Sequence, residues 1–285
     1  MSPIAFIFPG QGSQYVGMGK DFYDNFKESR YVFEEANHAL SMDLSGLCFN
    51  GTEDDLKKTE NTQPAILATS MAMLKVMEKE GICCEYTAGL SLGEYTSMVL
   101  ADSLKFSDAL KIVRKRGKIM QEAVPLGIGG MVAIIGLDND KLPLAIKASE
   151  EYGIVEIANY NSPGQIVISG ELKGLKIASE EAIKLGAKKV IPLLVSGPFH
   201  SSLLIEAGKR LEDELLRYEI REPNKNIISN VDAKIIADKK EIIPKLVRQV
   251  SSSVLWQQSV EFMINEGVDT FIEIGPGKSL TGFIK

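Results

Sequence analysis

A chain of 285 residues, 45% hydrophobic and 25% charged, has soluble globular composition, with room for one large domain or two smaller ones, and excludes extended disorder. Its net charge of −6 argues against a binder of phosphate backbones, which needs Lys and Arg in excess, so no nucleic-acid partner is expected and an anionic ligand must meet a local cluster of cations. No apolar run approaches the ~18 residues of a membrane span, and the three cysteines (Cys48, Cys83, Cys84) fit neither a disulfide framework nor a metal site, so a cytoplasmic, metal-free protein that does not bind membranes is expected.

In chain order, Ile4 to Phe8 reads as a short buried strand ending in Pro9-Gly10-Gln11-Gly12-Ser13-Gln14, a glycine-rich loop before a helical pattern. A dinucleotide fingerprint needs G-x-G-x-x-G, and after Gly10 and Gly12 the next glycine, Gly17, comes too late. Helical patterns cover residues 22–39 and 63–80; "CEYTAGLS" then reads as a strand entering a tight turn and "EYTSMVLA" as the helix after it. A further helix is expected over 107–122. From Met131 to Val195 the order becomes β-α-β-β-α-β, the ferredoxin-like arrangement, with glycine-bearing hinges in "PLGIGG" before it and "SGP" after it. Helices at 201–218 and 242–252, a strand in "KNIISNVD" and a closing strand, turn and helix in "DTFIEIGPGKSLTGF" complete the alternation. "GPGK" lacks Walker spacing and reads as a structural turn. The expectation is an α/β protein with a discontinuous large domain, 1–125 and 197–285, and an inserted ferredoxin-like small domain, 126–196.

Candidate chemistry starts at Gly89-Leu90-Ser91-Leu92-Gly93. A glycine-flanked serine between a strand and a helix is the setting of a nucleophile elbow, and the bland alternative is a turn built of small residues. A serine hydroxyl needs a base, and only His38 and His200 exist. His38 lies in a polar helical stretch that reads as solvated, whereas His200 follows a strand and a Gly-Pro turn, where α/β sheets carry their chemistry; its alternative is a packing role. Asp102, Asp108, Asp138 and Asp140, among the acids between Ser91 and His200, have no distinctive setting, which favours a Ser-His dyad whose ring is oriented by a neutral acceptor.

On the helix over 107–122, Lys111, Lys115, Lys118 and Glu122 form a polar stripe, while Arg116 falls with Ala109, Val113 and Met120 on the opposite face. An inward-facing guanidinium needs an anionic partner, either an internal carboxylate or a substrate acid clamped bidentately. Projection leaves both open.

These stretches, with "FPGQGSQ", "NTQPAI", "KRGKIMQ", "NYNSPGQIVISG", "GPFHSSLL", "VRQVSSSVLW" and "EIGPGKSL", run in order along essentially the whole chain, which thereby resembles the malonyl-CoA:acyl carrier protein transacylases of fatty acid synthesis. The resemblance implies an α/β-hydrolase-like large domain interrupted by the ferredoxin-like one, with the site between them. It implies Ser91 as nucleophile, His200 as base, Arg116 as malonate clamp, the backbone N–H groups of Gln11 and Leu92 as oxyanion hole, and the Gln249 carbonyl as the group orienting His200. Asn159 and Asn161 become candidates for pantetheine or substrate contacts. Malonyl-CoA and acyl carrier protein are the implied partners of a monomer without a cofactor, and Lys184, Lys188 and Lys189 could offer the carrier protein a basic patch. A thioester hydrolase using the same dyad and a non-catalytic docking module are the alternatives. Leu90 stands where most such sequences have His, Ser252-Ser253-Val254 where "SPV" is usual, and the chain ends at Ile284-Lys285 where a short continuation is expected.

Overall fold

The computed structural model describes residues 2–125, 127–195 and 197–285. Within them the strands are β1 (Ile4–Phe8), β2 (Tyr86–Gly89), β3 (Gly129–Ile135), β4 (Val155–Ser162), β5 (Gln165–Glu171), β6 (Lys189–Pro192), β7 (Asn226–Ile228) and β8 (Thr270–Glu273). They form two four-stranded sheets, of order β7-β2-β1-β8 and β4-β5-β3-β6.

The first sheet is entirely parallel. Its strands are short and apolar because both faces are covered: Phe6 and Phe8 of β1 point into the main core, while Ala5 and Ile7 point into a second cluster with Val254, Trp256 and Met263. The long helices Thr59–Lys79 and Phe106–Ala123 cross on the Phe6/Phe8 side, and Gly117 lets them touch, since a Cβ there would sit 2.5 Å from the Thr59 carbonyl oxygen.

The second sheet is antiparallel throughout and has the β-α-β-β-α-β order expected from the sequence. One face, with Val132, Ile134, Ile166 and Ile168, packs on the helices Leu142–Lys147 and Leu172–Lys184. Met131, Ala133, Ala158 and Val167 turn instead into the main core, so the small sheet is mounted on the large one. Strand β4 makes the joint: its register shifts between Ile157 and Asn159, and Ala158 accepts a 2.8 Å hydrogen bond from Val254 N–H while Tyr160 N–H donates to the Val254 carbonyl at 3.0 Å. Leu126 and Ser196, at the expected ends of the insert and within its expected hinges, lie outside the described residues.

Element boundaries differ from the sequence pattern in several places. The helix expected over 22–39 is two helices, Lys20–Asn25 and Lys27–Leu40, broken at the extended backbone of Phe26. The helix expected in "DKLPLAIKASEEYG", residues 140–153, is shorter, Leu142–Lys147, and is followed by a 3₁₀ turn, Glu150–Tyr152. The helix of 63–80 starts earlier, at Thr59, which puts Pro64 about one and a half turns inside, where it lacks the N–H that would pair with the Glu60 carbonyl. The "GPGK" loop is structural: the Glu273 carboxylate already accepts from the N–H groups of Leu280 and Thr281, at 3.1 and 2.8 Å, where an anion would have to sit.

Candidate active site

Ser91 occupies the sharp turn between β2 and the helix Gly93–Leu100 and has φ 53°, a left-handed conformation that costs a non-glycine residue roughly 1–3 kcal/mol. The surroundings hold it there. Asn230, fully buried, donates from Nδ2 to the Gly89 carbonyl at 2.7 Å and accepts at Oδ1 from the Ser91 N–H at 2.7 Å, so one amide spans the turn. Gly93 lets the elbow press on the end of β1, because a Cβ there would stand 2.2 Å from the Phe8 carbonyl oxygen. The loop after β1, which carries Gln11, lies against the elbow at Leu90, where a Cβ on Gly10 would sit 2.5 Å from the Leu90 carbonyl oxygen.

His200 has φ 60° and is 5% exposed; its backbone N–H is fixed by the Val250 carbonyl at 3.2 Å. Its Nδ1 lies 2.8 Å from the Gln249 carbonyl oxygen and its Nε2 lies 2.8 Å from Ser91 Oγ. A carbonyl only accepts, so Nδ1 carries the proton and Nε2 presents its lone pair to the serine hydroxyl. Among the described residues no carboxylate takes part in orienting the ring; of the candidate acids in the sequence, Asp102 pairs at the surface with Arg221 at 3.7 Å. Burial, and secondarily the charge on Arg116, push the His200 imidazole down to about 4. The ring is therefore a neutral base at neutral pH. His38 is exposed, as its polar context indicates.

Arg116 is 1% exposed, while Lys111, Lys115 and Lys118 face solvent, so the helical projection describes the real helix. The guanidinium donates to Gln63 Oε1 at 2.9 Å, Gln249 Oε1 at 2.9 Å and Ser91 Oγ at 3.0 Å, and lies over the Tyr95 ring at 5.4 Å from its centroid. All three acceptors are neutral. The internal-carboxylate alternative is therefore not met by a direct ion pair among the described residues: there the buried cation reaches a carboxylate at one remove, through Gln249 to Glu94.

Glu94 was not among the sequence candidates. It is fully buried, and its Oε2 accepts from Gln249 Nε2 at 2.5 Å and from Asn230 N–H at 3.3 Å, while Oε1 has no partner among the described residues. Burial pushes its carboxyl up to about 7. Gln63 and Asn230 were likewise missed. The available signal was a glutamate in the otherwise apolar or small-residue helix Gly93–Leu100, where an acid near the N-terminus also has an ordinary reading as a favourable dipole contact.

The remaining candidates divide. Gln11 sits in the loop pressed on the elbow, its Nε2 donating to Thr59 Oγ1 at 3.4 Å, and its backbone N–H and that of Leu92 have no acceptor among the described residues. Asn159 and Asn161, each 7% exposed, lie on β4 beside Val254; neither hydrogen-bonds to Ser91, His200 or Arg116, and Asn161 Oδ1 has no partner among the described residues. Leu90 packs against the second apolar cluster and leaves the polar side of the elbow to Asn230 and Gln249. In the basic patch, Lys188 and Lys189 are exposed, whereas Lys184 is tied to Glu181 at 2.5 Å.

A family model described as an acyl transferase domain matches residues 5–284. The chain is 49% identical over 286 residues to the malonyl CoA-acyl carrier protein transacylase of Bacillus subtilis (strain 168), covering 100% of this chain and 90% of that protein. The crystal structure of the malonyl CoA-acyl carrier protein transacylase from Clostridium perfringens superposes with a TM-score of 0.96 at 50% identity, covering 100% of this chain and 90% of that one. A malonyl-transacylase solved in complex with its holo type II PKS acyl-carrier protein gives a TM-score of 0.97 at 42% identity, over 99% of this chain and 92% of that one. A parallel sheet carrying a serine elbow, a small antiparallel sheet mounted on it, and full-length similarity at this level mean that the chain belongs to the malonyl-CoA:acyl carrier protein transacylase family of acyl transferases.

Proposed function

We propose that this chain moves a malonyl group from malonyl-CoA to the phosphopantetheine thiol of acyl carrier protein through a malonyl ester on Ser91. The observation that carries the reading is the position of Ser91 Oγ, 2.8 Å from a neutral histidine nitrogen and 3.0 Å from a buried guanidinium whose acceptors among the described residues are neutral. A nucleophile, its base and an acid-binding cation share one site.

In the first half-reaction His200 Nε2 takes the Ser91 proton as Oγ attacks the thioester carbonyl. The negative charge that develops on the carbonyl oxygen is received by the backbone N–H groups of Gln11 and Leu92, each such donor being worth roughly 10²–10³ in rate. The C–S bond then breaks, the coenzyme A sulfur leaves with the proton from His200, and the serine ester remains. In the second half-reaction the carrier-protein thiol gives its proton to His200 and attacks the ester carbonyl; the C–O bond to Ser91 breaks and Oγ recovers the proton. This is a ping-pong cycle.

Arg116 supplies the selection. A malonyl carboxylate can take both parallel N–H groups of the guanidinium, replacing the single contact to Ser91 Oγ and freeing the hydroxyl for His200. An acetyl group leaves the buried charge without an anion. The domain division expected at 126–196 would then set Asn159 and Asn161 of the small sheet along the path of the pantetheine arm, and Lys188 and Lys189 could meet an acidic carrier protein.

Intact-mass measurement after incubation with malonyl-CoA tests the reading. The expected result is one malonyl adduct on the peptide containing Ser91, stable in buffer and discharged by holo acyl carrier protein. An adduct on any other residue, or steady hydrolysis without accumulation, overturns it.

A further inference from the structure

The dyad and the clamp are backed by a buried hydrogen-bond hub whose members have no role in the steps above. The Gln249 side chain is its centre: Oε1 accepts from Arg116, and Nε2 faces the Ser91 carbonyl oxygen at 3.0 Å, Glu94 Oε2 at 2.5 Å and Asn230 Oδ1 at 3.4 Å. The amide direction is fixed by this set. Asn230 cannot flip, because Ser91 N–H and the Gly89 carbonyl dictate which end faces which, and Gln249 cannot flip without setting its NH₂ against the guanidinium and its oxygen against three acceptors. Glu94 supplies the shortest of these contacts and the one bearing a carboxylate. Its Oε2 keeps a lone pair for Gln249 whether or not the carboxyl is protonated.

The placement has a chemical consequence. A glutamate in direct contact with Arg116 would satisfy the buried cation but would also occupy the edge that an incoming carboxylate needs. We infer that Glu94 is a positioning residue for acid selectivity: a buried acceptor held one amide away from Arg116, which anchors the guanidinium through Gln249 and leaves its pairing edge open to the acyl carboxylate. Other charged groups around the hub are His200, which is neutral, and Asp232, whose partner is Lys245 at 3.2 Å. Neither stands between Glu94 and Arg116 in the chain of hydrogen bonds.

This inference rests on Arg116 holding the malonyl carboxylate, and the test separates the two. Rates of acyl-serine formation are measured by quenched-flow mass spectrometry with malonyl-CoA and, separately, acetyl-CoA, over a range of concentrations. Glu94→Leu removes acceptor and charge together, and the malonyl second-order rate constant is expected to fall about tenfold or more, chiefly through weaker binding, while the acetyl value moves less than about threefold. Glu94→Gln, which can still accept from Gln249, is expected to recover most of the loss.

The sharper variant exchanges the two side chains: Glu94→Gln with Gln249→Glu keeps the net charge and the backbone carbonyl of residue 249, gives up the N–H groups facing the Ser91 carbonyl and Asn230, and sets the carboxylate directly against Arg116. It is expected to lose malonyl-over-acetyl preference by about tenfold or more. Equal losses with both acyl groups in Glu94→Leu, which a merely structural glutamate would give, or an exchange variant with unchanged preference, overturns the inference. Should the exchange variant not fold, the Leu and Gln pair decides. If Arg116→Ala keeps its malonyl preference, the clamp reading itself fails; if Arg116→Ala loses it and Glu94→Leu does not, Glu94 alone is misassigned.

Discussion

The two sheets are alike in strand number and opposite in what they bring to the site. The parallel sheet ends β1 in the loop of Gln11 and β2 in the elbow of Ser91, and the segment after β7 supplies Asn230. Three adjacent strands thus deliver their carboxyl ends to one place, which is where an open parallel sheet exposes backbone N–H groups and loop side chains together. The antiparallel sheet sets two asparagine side chains on its edge strand β4 nearby, and among the described residues none of its side chains enters the hydrogen-bond network of Ser91, His200 and Arg116. The proposed chemistry thus gathers on the side of one sheet, and the other sheet borders it, joined through Val254.

Breaking the parallel-sheet side should cost most. Ser91→Ala is expected to abolish the malonyl adduct and lower transfer by about 10⁴-fold or more, read by mass spectrometry and carrier-protein loading. Next comes Arg116→Ala: truncating one member of a desolvated charge pair corresponds to roughly 10²–10³-fold in malonyl kcat/KM, with acetyl transfer rising relative to malonyl. Unchanged preference in that variant would remove the clamp from the comparison.

Much of this site was legible before any coordinates, for identifiable reasons. Ser91 announced itself because glycines must flank a strained turn, and Arg116 because a cation on the apolar face of a helix breaks a period of 3.6. His200 followed by elimination between two histidines. What pattern could not supply was the set of side chains that meet across the fold. Gln63, Asn230 and Glu94 lie in three separate stretches of the chain, and their amide and carboxyl groups have unremarkable readings one at a time; Arg116 gathers Gln63, and Gln249 gathers Asn230 and Glu94. The fold shows the same split. The β-α-β-β-α-β run was visible in its periodicity, whereas the break at Phe26 and the early start at Thr59 depend on how the helices pack and cap.

The third prediction concerns pH and separates the dry interior of the dyad from an exposed histidine. The His200 value is depressed to about 4 from an ordinary 6.5, so the ring is protonated in the unfolded chain below 6.5 but stays neutral in the folded one until about 4. Its contribution to stability is present above about 6.5 and is lost as pH falls toward 4. Over the same window the folded enzyme keeps its base. The rate of malonyl-serine formation at subsaturating malonyl-CoA is expected to show no histidine inflection near 6.5, where an exposed imidazole would already cost about tenfold by pH 5.5. An acid limb centred near 6.5 that persists in Glu94→Gln would mean that water reaches the ring, since the Glu94 carboxyl, pushed up to about 7 by burial, is the other group of the hub that titrates there.

The smallest effect should come from the antiparallel sheet, and it is the one that tests whether that sheet only borders the site. Asn161 is 7% exposed, its Oδ1 has no partner among the described residues, and a buried amide oxygen is costly to leave unmade. If a pantetheine amide of the substrate satisfies it, Asn161→Ala forfeits one neutral hydrogen bond, or about threefold to tenfold in KM for malonyl-CoA, with the rate at saturation unchanged because the group stands away from the reacting carbon. Asn161→Asp offers the same oxygen acceptor and should retain more of the affinity than Ala. A loss in kcat comparable to that of Arg116→Ala would instead place β4 within the catalytic arrangement, and the contrast between the two sheets would fail.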